Sequence, residues 1–529
     1  MSENVNTQTT EEWKLPENPW PATFAIMLAT FMFVLDSTIA NVALPHMAGT
    51  FSSSNEETLW ILTSYMIASG IILPSVNWFS GVFGRKKFYM SCVLIFTVAS
   101  ALCGMAESLN QMILARILQG LGGGAIVPIA QAILIENFPF EKRRMAMSVF
   151  GIGIIIAPIV GPVLGGWLTD NYNWHWIFYI NVPLGFLSIL LSNMFIEDPP
   201  YASKKEGQKI DVLGFSFLII WLVCLQIVLD KGQNADWFNA PWICWTFVAS
   251  MTAMIAFIFS QFTNPKSIID LKVFKDKNFT FGTILIVLVT AVLYSSIAIM
   301  PLFLQNLLSY SAFLSGVSMM PRGVGSVIGL MITAGAKHIE DRVFIGIGLV
   351  LIGLSSLMFG FLNLQISMIN IIIPNFIFGL GLSFCMIAIN TLSVVTLKNE
   401  QMTNATGVQN LLKNIGGAIG MSIVATMIQR FGQMHQFSMV KHLDPLNPAF
   451  QAKFSSITAA LAQHFNITVA QAKANYLMYV QLLQQANLWA FMDAFRIFGL
   501  ACFIIIPLLF FMKPKVTKEG EETDISVLH

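Results

Sequence analysis

The chain has 529 residues, 55% of them hydrophobic and 11% charged, with a mean hydropathy of +0.69 and a formal net charge of +1. Soluble domains carry roughly 25% charged residues, so this chain has too little polar surface to cover a globule of its size. That excludes an ordinary soluble enzyme, a secreted disulfide scaffold and a disordered chain, and the near-neutral balance gives no bulk electrostatic reason to bind nucleic acid.

Residues 1–21 are polar and mildly acidic, with Glu3, Glu11, Glu12 and Glu17 against Lys14. They lack the basic start of a signal peptide and read as a retained tail. Beyond them a bilayer core asks for about 20 apolar residues per helix. Fourteen such stretches follow, at 22–44, 58–80, 88–107, 110–136, 145–168, 175–196, 211–229, 241–262, 279–304, 312–335, 343–362, 367–392, 404–429 and 486–511. Backbone facing lipid must satisfy its own hydrogen bonds, so they are expected as helices.

The first stretch holds Asp36 at its centre, in Leu35-Asp36-Ser37-Thr38-Ile39-Ala40-Asn41-Val42-Ala43-Leu44-Pro45. Gly84-Arg85-Lys86-Lys87 follows the second. The fourth has Arg116 about two turns in, then Gln119, Gly120 and Gly122-Gly123-Gly124; with no Gly-x-x-x-x-Gly-Lys-Ser/Thr in the chain, this is not a nucleotide loop. Charges at membrane depth cost at least about 2.5–3.5 kcal/mol each, so Asp36 and Arg116 are functional candidates. Facing one interior cavity they would pair, and a carboxylate there could take a proton from one side and release it to the other; the plainer alternative is a static pair that sets helix register. The fifth stretch carries Gly153, Pro158, Gly161, Pro162, Gly165 and Gly166. Its prolines invite a kink and its glycines close packing, a combination suited to a helix that seals against a neighbour and rocks.

In the second half, Arg322 follows Pro321 in the tenth stretch and Lys413 lies in the thirteenth. Asp493 and Arg496, three residues apart in the last, are expected as a local, structural ion pair. Residues 430–485 form a long extramembrane loop whose later part has helix-like apolar spacing at Phe454, Ile457, Leu461 and Phe465. This reads as a tether or as a docking surface. The six cysteines are scattered singly and suit neither a disulfide framework nor a metal site. With the N-terminus inside, the clusters Arg85–Lys87, Lys142–Arg144, Lys204–Lys209 and Lys266–Lys277 fall on the cytoplasmic side, against scattered Lys231, Arg430, Lys441, Lys453 and Lys473 opposite. The positive-inside rule then puts both termini in the cytoplasm.

These motifs resemble the major facilitator superfamily, and within it the fourteen-span drug:proton antiporters of the bacterial inner membrane. The likeness rests on Leu35 to Pro45, on Arg116, Gln119, Gly120 and Gly122, on the Pro-Gly run from Gly153 to Gly166, and on Trp174-His175-Trp176-Ile177-Phe178-Tyr179-Ile180-Asn181-Val182-Pro183-Leu184-Gly185. One departure is Gly81 and Val82, where the family has an Asp-Arg pair ahead of Gly84, Arg85 and Lys86.

The resemblance implies an all-helical membrane protein of 6+2+6 spans. An N-terminal bundle covers 22–196, two inserted helices with their loops 197–278, and a C-terminal bundle 279–511, with tails at 1–21 and 512–529. It implies export of hydrophobic or amphipathic compounds by alternating access, driven by protons through Asp36 and Arg116, without cofactor, metal or enzymatic activity. It further implies work with a periplasmic adaptor and an outer-membrane channel. Asn41, Gln119, Gln409 and Asn410 are the candidates for the substrate cavity by the same analogy. Two alternatives are a dedicated exporter or flippase of an endogenous lipid, fatty acid or siderophore, and an uncoupled channel or scaffold.

Overall fold

The computed structural model describes residues 18–197, 211–233, 235–263, 271–335, 339–397 and 399–512. Most of the two expected tails and the basic positions Lys204, Lys205, Lys209, Lys266, Lys337 and Lys398 lie outside the described residues. Within them the chain is helical, with no strand.

The principal helices are α1 (Trp20–Thr50), α2 (Trp60–Ile72), α3 (Arg85–Gly104), α4 (Leu109–Gly123), α5 (Phe140–Asn171), α6 (Asn181–Phe195), α7 (Val212–Lys231), α8 (Pro241–Thr263), α9 (Lys277–Asn306), α10 (Ala312–Gly335), α11 (Asp341–Phe359), α12 (Ile369–Val394), α13 (Asn399–Val440) and α14 (Ile467–Ile505). Side-chain caps set several starts. Ser108 accepts from Gln111 N before α4, Asp211 from Gly214 N before α7 and Asp276 from Phe279 N before α9. Each satisfies an amide that the helix itself leaves open. Asp211 also accepts from Ser260 and Gln261 of α8, which ties α7 to α8.

Twelve helical stretches among the described residues are long and apolar enough to cross a membrane. Two of the fourteen expected spans are not among them, for separate reasons. The second is broken into Trp60–Ile72, a 3-10 turn Leu73–Ser75 and Val76–Phe83, with Pro74 at the break. The tenth, α10, is one helix of 24 residues whose hydropathy is diluted by Pro321, Arg322 and many glycines and serines.

Helix neighbours repeat between the halves. In the first, α1 packs on α5 and α6, α4 on α2 and α3, and α3 on α6. Adding eight to each label gives α9 on α13 and α14, α12 on α10 and α11, and α11 on α14, all of which are in contact. The seams joining the halves obey the same rule, because α5 meets α10 while α13 meets α2. Two bundles related by a two-fold axis produce this pattern. The α7–α8 pair lies against α2 and α13.

The loop expected at 430–485 is helical almost throughout. α13 has 42 residues and α14 has 39. At about 1.5 Å per residue each runs to about 60 Å, twice a bilayer core of about 30 Å. A turn at 441–447 and a helix Pro448–Ala462, capped by Asn447 and packed on α14, join them. Alanine, glutamine and leucine favour helix here, so two spans extend past the membrane as a helical hairpin.

Candidate functional site: a buried acid–base cluster and the seam between bundles

Asp36 and Arg116 meet in the interior of the first bundle. Arg116 Nη1 lies 2.6 Å from Asp36 Oδ2, and neither side chain has any exposed surface. The other carboxylate oxygen accepts from Gln119 Nε2 at 3.0 Å and Asn181 Nδ2 at 2.8 Å. Gln119 Oε1 accepts from Arg116 Nη1 at 2.7 Å, and Arg116 Nε donates to the Ile61 carbonyl at 3.2 Å. Ser100 Oγ receives both amides, from Gln119 at 3.1 Å and Asn181 at 2.9 Å, and donates to the Phe178 carbonyl. The guanidinium lies 4.7 Å from the Tyr65 ring and 5.2 Å from the Phe178 ring, where its charge meets the electron-rich faces.

Five helices supply this cluster: α1 the acid, α2 a carbonyl and a ring, α3 Ser100, α4 Arg116 and Gln119, and α6 Asn181. Glycines let α4 come close enough, since a Cβ at Gly120 or Gly124 would collide with the α2 backbone at Tyr65 or Ser69. A buried ion pair is tolerated when further hydrogen bonds satisfy its remaining atoms; Gln119 and Asn181 do that for the carboxylate, while Arg116 Nη2 has no partner. The sequence reading expected an open cavity beside Asp36. In this conformation the carboxylate is instead sealed within the bundle.

Asn181 and Ser100 were missed as partners of the acid. Asn181 lay within the family-like stretch from Trp174 to Gly185 but without a role. Ser100 carried no signal beyond being a hydroxyl in an apolar run.

The Pro-Gly run of α5 faces two ways. Gly161 and Gly165 abut Thr38 and Ile39 of α1, while Gly166 abuts the Ala312 carbonyl and Gly316 of α10 abuts the Pro162 carbonyl. Gly153 faces Met27 of α1. Pro158, by contrast, is exposed and Pro162 buried. At the end of this seam Asp170 caps α10 across the bundles, accepting from Ala312 N at 3.1 Å and Phe313 N. Gln305 of α9 donates to the Val42 carbonyl of α1 at 2.7 Å nearby. At the opposite end of the first bundle Gly84 adopts φ 83°, a left-handed conformation that suits glycine, and Arg85 begins α3. Lys86 Nζ donates to the Asn193 carbonyl in the last turn of α6 at 2.8 Å, where the helix dipole favours a cation.

The cavity candidates are not brought together. Gln119 belongs to the acid cluster. Asn41 spends its amide on the Ser37 and Thr38 carbonyls of its own helix. Gln409 donates to Ser393 of α12 at 3.0 Å, and Asn410 is partly exposed on α13. Asp493 accepts from Arg496 at 3.0 Å and also contacts His435 of α13 at 2.7 Å, so the group links α13 to α14 rather than bridging one turn alone. His175, at the start of the sixth expected span, stacks on Trp174 at 3.7 Å between ring centres.

Known proteins resemble this chain along nearly its whole length. The family described as Major Facilitator Superfamily matches residues 26–421. Multidrug export protein EmrB of Haemophilus influenzae is 30% identical over 495 residues, 93% of this chain and 95% of that protein. Fatty acid resistance protein FarB of Neisseria gonorrhoeae is 28% identical over 506 residues, 94% of this chain and 97% of that protein. Among solved structures, a bacterial homologue of the human lysosomal transporter Spinster, inward-facing and occupied, superposes with a TM-score of 0.61 at 15% identity, covering 94% of this chain and 99% of that one. That last likeness concerns the fold alone.

Proposed function

The chain belongs to the major facilitator superfamily as an EmrB-like, multi-pass protein of the bacterial inner membrane, and on that premise we propose that it is a proton-coupled antiporter exporting hydrophobic or amphipathic compounds by alternating access. In this reading fourteen spans are arranged 6+2+6 with both termini cytoplasmic. The seam at Asp170 and Ala312 then lies at the outer face. The observation that carries the reading is the Asp36–Arg116 pair: an ionisable group with no exposed surface, held by residues from five helices.

Protonation of Asp36 removes one charge of the pair and loosens its hold on Arg116. Rearrangement at α1 and α4 is thereby linked to proton occupancy. α1 also packs on α5 along Gly161 and Gly165, so the change reaches the seam that closes the outer face. One proton crossing about 100 mV releases about 2.3 kcal/mol, enough to drive a neutral substrate uphill by more than tenfold. The α13–α14 hairpin, reaching past the membrane, supports assembly with a periplasmic adaptor and an outer-membrane channel.

The test is transport by inverted vesicles with a panel of hydrophobic compounds, with and without an uncoupler. Asp36→Asn is expected to abolish substrate-driven proton movement while the protein stays folded; unchanged pH-driven transport by that variant overturns the reading. A second reading, a dedicated exporter of an endogenous amphipath, is favoured by the name of the FarB relative. It predicts transport of fatty acids and of none of the drugs in the panel.

A further inference from the structure

The second bundle buries a cation that no acid among the described residues balances. Arg322 of α10 is 7% exposed. Its Nε and Nη2 donate to Asn375 Oδ1 of α12 at 3.1 and 2.8 Å, Nη2 also donates to Ser296 Oγ of α9 at 2.9 Å, and Nη1 has no partner. The Phe378 ring lies 4.4 Å from the guanidinium carbon. Asn375 is itself fixed, donating to the Ser318 and Ile371 carbonyls at 3.1 Å each.

Arg116 also buries a guanidinium with one unpartnered nitrogen, Nη2, and differs in having a carboxylate against it. Among the described residues no carboxylate pairs with Arg322. Asp493 is already engaged by Arg496 and His435, and Asp341 lies in the first turn of α11. Lys413 of α13 likewise has no ion pair, and it is partly exposed one turn from Gly417, where Met66 of α2 and Tyr294 of α9 meet. A buried charge held only by neutral acceptors is costly and is retained where something brings the opposite charge to it.

We propose that Arg322 is the anchor for the carboxylate of an amphipathic organic acid, which reaches the unpartnered Nη1, buried in this conformation beside Phe378, when transport rearranges the helices around it. This deepens the export reading above and rests on it. One free nitrogen in a fixed direction matches one oxygen of a carboxylate, whereas a phosphate dianion asks for more donors than remain. The substrate itself then supplies the missing counter-charge, so acids are preferred over amines of the same shape.

The test uses the full chain in lipid nanodiscs, without any gradient, and three probes that share one ring system: naphthoate, naphthylmethylamine and naphthylmethanol. Arg322→Met is expected to lower naphthoate affinity by about tenfold or more, as loss of a charge-assisted hydrogen bond does, and to keep the other two within about twofold. Asn375→Asp places a carboxylate at the existing contact and tests the same idea in a protein that keeps its cation. It should compete for the guanidinium and weaken naphthoate by a similar factor. Unchanged naphthoate affinity in either folded variant, or equal loss of all three probes, overturns the proposal. Proton-driven transport in vesicles separates the two claims: native protein that transports while Arg322→Met keeps its naphthoate preference refutes the anchor alone. Native protein that binds naphthoate selectively but moves nothing refutes export alone.

Discussion

Asp170, the penultimate residue of α5, caps the first turn of α10 in the other bundle: one carboxylate oxygen accepts from Ala312 N and the other from Phe313 N at 2.6 Å. An acid at a helix N-terminus satisfies amides the helix cannot and meets the positive end of its dipole. Here the cap and the helix belong to different bundles, so the bond exists only while this end of the seam is shut. It is a clasp between the halves.

Asp170→Ala therefore should not unfold either bundle. Loss of a cap costs about 1 kcal/mol, which shifts the balance away from the closed seam by about fivefold. A cysteine introduced as Leu308→Cys, beside the seam, should label with a membrane-impermeant thiol reagent several times faster in the Asp170→Ala background. An unchanged labelling rate would show that the clasp carries no weight.

Gly166→Leu attacks the same seam by volume. A Cβ at Gly166 already falls within van der Waals distance of the Ala312 carbonyl and Phe313 Cα, both backbone atoms that cannot swing aside. The expected result is a folded protein with normal naphthoate binding from the cytoplasmic side and at least about tenfold slower transport, because closure is blocked. Gly151→Leu is the control, for nothing lies within 4 Å of a Cβ there.

The acid cluster makes a prediction about stability. Arg116→Ala strands a buried carboxylate and should cost about 3–5 kcal/mol, whereas the double change Asp36→Leu with Arg116→Met should recover most of that loss. Thermal unfolding of the purified protein in detergent reads both. The double variant should also be dead in proton-coupled transport, which separates the pair's structural part from its coupling part. If the double variant is no more stable than Arg116→Ala, the pair is not the dominant polar interaction of that bundle.

The extended hairpin is expected to be dispensable for transport and needed for resistance. Replacing Lys441–Asn466 by a short Gly-Ser linker removes the turn and the helix Pro448–Ala462 but leaves the Asp493, Arg496 and His435 link intact. Vesicle transport should stay within about twofold of native while drug tolerance of cells falls to that of the empty strain. Equal loss in both assays would mean that the hairpin stabilises the bundle and does not serve a partner.

Composition and hydropathy by themselves determined that this chain is helical and membrane-embedded, because a run of apolar residues has one way to satisfy its backbone in lipid. The same reasoning singled out Asp36 and Arg116, since a charge at that depth is costly wherever its neighbours lie. It expected spans at 58–80 and 312–335, where the structure has a helix broken near Pro74 and a helix diluted by polar residues; it failed at 430–485, where polarity resembled a loop but alanine and glutamine continue the helix. Only the tertiary structure decided who shares the acid, because Asn181 and Ser100 are 145 and 64 residues away along the chain and reach it through helix packing. It alone showed that Asp36 is sealed rather than bordering a passage, that Asp170 caps a helix of the opposite bundle, and that Arg322 has no acid partner among the described residues. Those are facts about distance between helices, and distance between helices is set by glycine contacts whose partners no linear pattern names.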